Sequence, residues 1–138
     1  MQIKRTASAN WKGTGKEGTG LISTQSTVLS QTQFGFNSRF ADGIGTNPEE
    51  LIGAAHAGCF SMKLAFNLQG AGFMADNIDT KATVILENGT ITEVQLQTSV
   101  SAKGLTSEKL TELANNAKAN CPISKLLNAK ISLDTKLI

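Results

Sequence analysis

Cys59 and Cys121 are the only cysteines in the chain, and their sulfurs are its most reactive candidate nucleophiles. A thiolate attacks electrophiles, exchanges with disulfides and can be oxidised reversibly, so a cysteine pair can carry redox chemistry. His56 lies three residues before Cys59 and Lys63 four after it, so on a helix both neighbour the sulfur and either could lower its pKa. A Cys–His nucleophile for hydrolysis is conceivable on the same spacing, although a lone histidine on an apolar helix is more often a packed core residue. Free cysteines are also commonly buried as small apolar side chains. Two cysteines and one histidine fall short of the four ligands of a zinc site, and their spacing is not a zinc pattern. Spacing alone does not say which sulfur attacks first.

The elements that must hold these residues can be read along the chain. Ile3, Ala7, Ala9 and Trp11 share one parity against Lys4, Thr6, Ser8 and Asn10, the pattern of a half-buried strand. A loop from Gly13 to Gly18 leads to a second strand around Gly20 to Val28, and Gln33 to Phe36 reads as a short third. Asn47 as cap, Pro48 in the first turn and Glu49 and Glu50 at the positive end open a helix that runs to Gly70, the left-handed stop. Leu51, Ile52, Phe60, Leu64, Phe66 and Leu68 leave this helix almost no wet face. A sheet and a second subunit are expected to cover it.

Asn88-Gly89 is a hairpin turn between strands around Thr80–Leu86 and Val94–Val100, and Ile91, out of phase, predicts a bulge or a late strand start. Ser107 caps a helix with the stripe Leu110, Leu113, Ala114 and Ala117. Cys121 rotates to nearly the same face as Leu110 and should point toward the core. Pro122 breaks the helix and makes Cys121 a cap for a short following turn, where free N–H groups favour a thiolate. Ile131, Leu133 and Leu137 mark a last strand. The order β-β-β-α-β-β-α-β describes an α+β fold with helices on a mostly antiparallel sheet, in a single domain spanning residues 1–138.

Composition excludes several classes. With 40% apolar and 17% charged residues, neither disorder nor a coiled coil is expected. A net charge of +2 without a basic cluster gives no footprint for nucleic acid. The longest apolar stretch holds His56, Lys63 and Asn67, which argues against a membrane span. The start Met1-Gln2-Ile3-Lys4-Arg5 leads into alternating residues rather than an apolar segment, so no signal peptide is read. That points to the cytoplasm, where disulfides are usually transient.

The run Gly45-Thr46-Asn47-Pro48-Glu49-Glu50-Leu51-Ile52-Gly53-Ala54-Ala55-His56-Ala57-Gly58-Cys59-Phe60-Ser61-Met62 resembles the signature of the OsmC/Ohr family, the osmotically inducible and organic hydroperoxide resistance proteins. A second motif also matches, Lys118-Ala119-Asn120-Cys121-Pro122-Ile123-Ser124 followed by Leu126 and Leu127. Asn10-Trp11 and Gly35-Phe36-Asn37-Ser38-Arg39-Phe40 resemble the OsmC branch in particular. The resemblance implies an OsmC-like fold in an intertwined homodimer without metal, haem or other cofactor, and a cytoplasmic thiol peroxidase that reduces organic hydroperoxides. It places Cys59 in the peroxidatic position and Cys121 in the resolving one. Arg39 takes the position of the activating arginine, and Glu49 that of its carboxylate partner. It also suggests a dithiol reductant, a lipoyl-bearing protein among the candidates.

The chemistry fits those residue types. A thiol of ordinary pKa is only about 3% ionised at neutral pH, so complete ionisation gains at most about thirtyfold. An arginine that also stabilises the departing alkoxide serves two steps. Phe36, Phe60 and Met62 are candidates for an apolar wall. Glu49 and Cys59, ten residues apart on one helix, would lie about 15 Å apart along its axis and face about 80° apart. Glu49 and Arg39 are therefore expected to serve the Cys59 of the partner chain. A different thiol enzyme, hydrolase or transferase, and a non-catalytic dimer binding an apolar ligand are the competing classes.

Overall fold

The computed structural model describes all residues from Met1 to Ile138. The elements are β1 (Ala7–Lys12), β2 (Thr19–Thr24), β3 (Thr32–Phe34), α1 (Phe36–Phe40), α2 (Pro48–Gly70), β4 (Ala75–Glu87), β5 (Thr90–Ala102), α3 (Ser107–Asn120), α4 (Pro122–Leu126) and β6 (Lys130–Leu137). The α+β class is as expected, but the strands form two three-stranded sheets rather than one. Contacts divide the chain into two compact units, Met1–Leu51 and Ile52–Ile138.

In the first unit β1, β2 and β3 pair antiparallel in that order. Gly20 stands opposite both Trp11 and Phe34, whose rings approach to 5.3 Å between centroids. A Cβ at Gly20 would run into both rings, so only glycine fits that register. β2 stops at Thr24, short of the predicted Val28, because Thr24 turns the chain back through bonds with Leu29. The third strand likewise ends at Phe34, and Phe36–Phe40 is helical instead. Ser38 explains that turn: its Oγ accepts from Gly35 N at 2.9 Å and donates to Thr46 O at 2.8 Å. Every residue of β1 is exposed, contrary to the half-buried reading of its alternation. The parity marks a face suited to burial that a single chain leaves open.

In the second unit β4 and β5 form a long antiparallel hairpin through Asn88 and Gly89, both at positive φ as predicted. Its register shifts between Ile85 and Leu86, where Leu86 meets the out-of-phase Ile91. β6 then adds parallel to β5. The core joins Phe60, Leu64 and Leu68 of α2 to Val94, Leu96 and Val100 of β5 and to Leu110, Ala114 and Ala117 of α3. Burying one such large side chain contributes about 1.5–3 kcal/mol.

Asn47 caps α2 as expected, its Oδ1 accepting from Glu50 N at 2.8 Å. The helix ends at Gly70, but the left-handed residue is Gly72 (φ 89°), with Phe73 N bonding back to Leu68 O at 2.9 Å. Thr106, not Ser107, caps α3, because its hydroxyl accepts from Lys109 N at 3.2 Å. Gly53, His56, Phe60, Leu64 and Leu68 form the buried face of α2. Met62 and Phe66 are 66% and 63% exposed, so one chain by itself does not dry this helix.

Candidate active site

Within the first unit the loop 41–47 returns the chain from α1 to the start of α2. Asn47 Nδ2 donates to Ser38 O at 2.9 Å, and Thr46 Oγ1 donates to Glu50 Oε1 at 3.1 Å. That anchoring brings Arg39 to Glu49. Arg39 Nη2 donates to Glu49 Oε1 at 2.7 Å, and Nε reaches both carboxylate oxygens, at 3.1 and 3.2 Å. The fork is thus held in one plane, as a bidentate guanidinium–carboxylate pair. Hydrogen bonding to Glu49 holds the Arg39 pKa above its already high ordinary value, so the guanidinium is permanently charged. Phe40 lies under that charge, with Cζ 5.1 Å from the ring centroid. Beside the pair is a small cavity of about 100 Å³ whose walls include Trp11, Phe34, Phe36, Phe40 and Pro48. Phe36 therefore lines this cavity together with Arg39.

Within the second unit α2 carries Cys59 and the α3–α4 junction carries Cys121. Both are free thiols; Cys59 is half-buried and Cys121 fully buried. Cys121 ends α3, with its N–H bonded to Ala117 O, and stands at the N-cap of α4 with Pro122 following. This is the predicted placement, and the sulfur faces inward as the Leu110 spacing required. Burial pushes the Cys59 thiol up, hydrogen bonding and charge repulsion from Cys121 push it further, and the N–H of Ile123 opposes both. Burial also disfavours the Cys121 thiolate. Hydrogen bonding from Cys59, from the Ser124 N–H and hydroxyl and from Ile123 together outweigh it and leave Cys121 below the ordinary thiol range.

His56 does not serve Cys59 directly. It is fully buried, with Nε2 2.8 Å from Ser124 Oγ, and burial lowers its pKa. Lys63 forms no ion pair with a carboxylate. Phe60 is wholly inside the core and cannot wall a substrate site, whereas Met62 is exposed. Ser124 is the polar residue to which the sequence reading gave no role. The signal was present in the spacing Cys121-Pro122-Ile123-Ser124, which sets its hydroxyl in the first turn of the helix that Cys121 caps. No group of three or more His, Cys, Asp or Glu side chains is gathered as a metal site. Nor is any helix long and apolar enough to cross a membrane.

A family model described as OsmC-like protein matches residues 41–136, across both cysteines and Glu49. This chain belongs to the OsmC-like family. Over its full length the OsmC-like chain is similar to Peroxiredoxin OsmC of Escherichia coli (strain K12), 45% identical over 141 residues that cover 99% of each protein. Among solved structures it resembles the organic hydroperoxide resistance protein OhrB of Bacillus subtilis. That match is 27% identical, with a TM-score of 0.65 over 96% of this chain and 98% of that one. An OsmC-like protein from Mycoplasma pneumoniae shares the fold at 12% identity, with a TM-score of 0.78 over 100% and 99% of the two chains.

Proposed function

We propose that this OsmC-like protein is a thiol peroxidase for organic hydroperoxides, with Cys59 attacking the peroxide and Cys121 resolving the product. The observation that carries the assignment of roles is exposure: Cys59 is partly accessible and Cys121 is not. Ionisation in the single chain favours the opposite order, since Cys121 is the easier thiolate. Access outweighs it. Complete ionisation is worth at most about thirtyfold, whereas a sulfur that no peroxide can reach does not react at all.

Burial and the neighbouring Cys121 raise the Cys59 pKa, so a cation beside the sulfur would favour its thiolate. Arg39, held by Glu49, is the fixed cation suited to that task. Glu49 and Cys59 are ten residues apart on α2, so the pair is assigned to the Cys59 of a partner chain in a homodimer. The exposed β1 and the exposed Met62 and Phe66 are the surfaces such a dimer would cover.

In the reaction the Cys59 thiolate attacks one peroxide oxygen. The S–O bond forms as O–O breaks, and the alkoxide leaves beside Arg39 and takes up a proton to become the alcohol. Cys121 then attacks the sulfenic sulfur. The S–S bond forms as S–O breaks, and the sulfenic hydroxyl leaves with the thiol proton as water. A dithiol reductant, a lipoyl-bearing protein among the candidates, restores both thiols by exchange, consistent with a reducing cytoplasm.

Thiol titration after one equivalent of an alkyl hydroperoxide tests this reading. Two thiols should disappear together and return with a dithiol, and Cys121→Ser should accumulate a sulfenic acid at Cys59. Loss of neither thiol, or oxidation of Cys121 in a Cys59→Ser variant, would remove the assignment.

A further inference from the structure

His56 is the buried titratable side chain that this chemistry leaves unused. It is 0% exposed, one helical turn before Cys59, and its Nδ1 is buried without any hydrogen-bond partner. Its Nε2 lies 2.8 Å from Ser124 Oγ. Together these facts select a tautomer. A buried N–H without an acceptor is rarer and more costly than a bare lone pair, so the proton sits on Nε2 and Nδ1 is left bare. Nε2–H then donates to Ser124 Oγ. A protonated imidazole would leave the Nδ1–H unpaired, in agreement with the lowered pKa of this ring.

The consequence falls on Ser124. Its hydroxyl has one proton, and with Oγ accepting from His56 that proton is available to a second acceptor. Ser124 is itself buried, in the first turn of α4 three residues after the capping Cys121. Its hydroxyl is also among the groups that favour a thiolate at Cys121. We propose that His56 is a positioning residue for the resolving sulfur: by donating to Ser124 Oγ it turns the Ser124 hydroxyl proton toward Cys121 Sγ. The step served is the attack of Cys121 on the sulfenic sulfur of Cys59, for which the thiolate is the reactive form. The inference rests on Cys121 being the resolving thiol, but the ionisation it describes can be measured without any peroxide.

The test is a pH titration of the thiolate absorbance of Cys121 in a Cys59→Ser background, with circular dichroism confirming the fold. His56→Leu and Ser124→Ala should each lower the thiolate fraction at neutral pH roughly tenfold, the scale of one charge-assisted hydrogen bond. The double variant should lower it no further, because both act through one hydroxyl. His56→Gln, whose amide N–H can take the place of Nε2–H, should restore the parental titration. A residue that merely joins α2 to α4 would change stability and leave the titration unmoved. If His56→Leu does not fold, Ser124→Ala and His56→Gln decide. A parental curve for Ser124→Ala, or a His56→Gln curve shifted as far as Ser124→Ala, overturns the proposal. Should the titrations shift as expected while hydroperoxide leaves both thiols of the parent protein intact, the peroxidase reading fails and the His56–Ser124 relationship stands.

Discussion

Arg39 Nη2 sits 2.7 Å from Glu49 Oε1, with Nε shared between both oxygens of the same carboxylate. Glu49 is only 13% exposed while Arg39 is 39% exposed, so the carboxylate is the fixed member and the guanidinium is presented outward. A pair so arranged presents a fixed charge outward. Exposed ion pairs of this kind contribute little to stability.

Arg39→Ala should therefore lower kcat/KM with an alkyl hydroperoxide by roughly a hundredfold, the cost of removing one donor to a developing oxyanion. Arg39→Lys should recover little of it, because an ammonium lacks the planar fork. The melting temperature of both should stay close to that of the parent. Steady-state kinetics beside thermal unfolding checks this, and a large loss of stability without a change in rate would contradict it.

Mixed dimers test where that charge is delivered. A Cys59→Ser subunit combined with a Glu49→Ala subunit should form one kind of site that carries both lesions and one that carries neither. About half the parental activity is expected if the site is shared between chains. Two sites each carrying one lesion, and activity near that of the single variants, would place the pair on its own Cys59.

Met62 and Phe66, one helical turn apart on α2, are largely exposed in the single chain. Replacing Phe66 with Glu should shift the protein toward monomer in sedimentation analysis, since a carboxylate there opposes apolar burial. Loss of peroxidase activity should accompany it. A stable dimer in Phe66→Glu would direct attention to the β1 edge instead.

Burial holds the pKa of His56 below its ordinary value of about 6.5. In the unfolded chain the imidazole protonates as pH falls below about 6.5, whereas in the folded chain it resists. The unfolded state therefore binds more protons in the window between the depressed folded value and about 6.5, and stability is lost as pH falls through it. Denaturant unfolding of His56→Gln should show a flatter dependence over that window, together with a parental slope near neutrality. An unchanged acid limb would mean that other groups set it.

Much of the fold was legible residue by residue. Asn47, Pro48 and the two glutamates marked the start of α2 because a helix start needs a cap and favours negative charge, and the Asn88-Gly89 turn followed from positive φ. The out-of-phase Ile91 located a register shift for the same local reason. The α1 turn escaped notice because it depends on Ser38 reaching Thr46 O, a contact that no periodicity encodes.

At the site, residue types and motif spacing named the candidate groups: two sulfurs, one arginine and one carboxylate. Only the tertiary structure decided how they are paired. It buried Cys121 at the N-cap of α4 while leaving Cys59 partly accessible, and it planted Arg39 on Glu49. It also turned His56 away from Cys59 to Ser124, with one ring nitrogen unpaired. The physical reason is that ionisation, access and hydrogen-bond satisfaction belong to surroundings assembled from distant segments. Sequence names the donor and the acceptor; packing chooses which donor meets which acceptor.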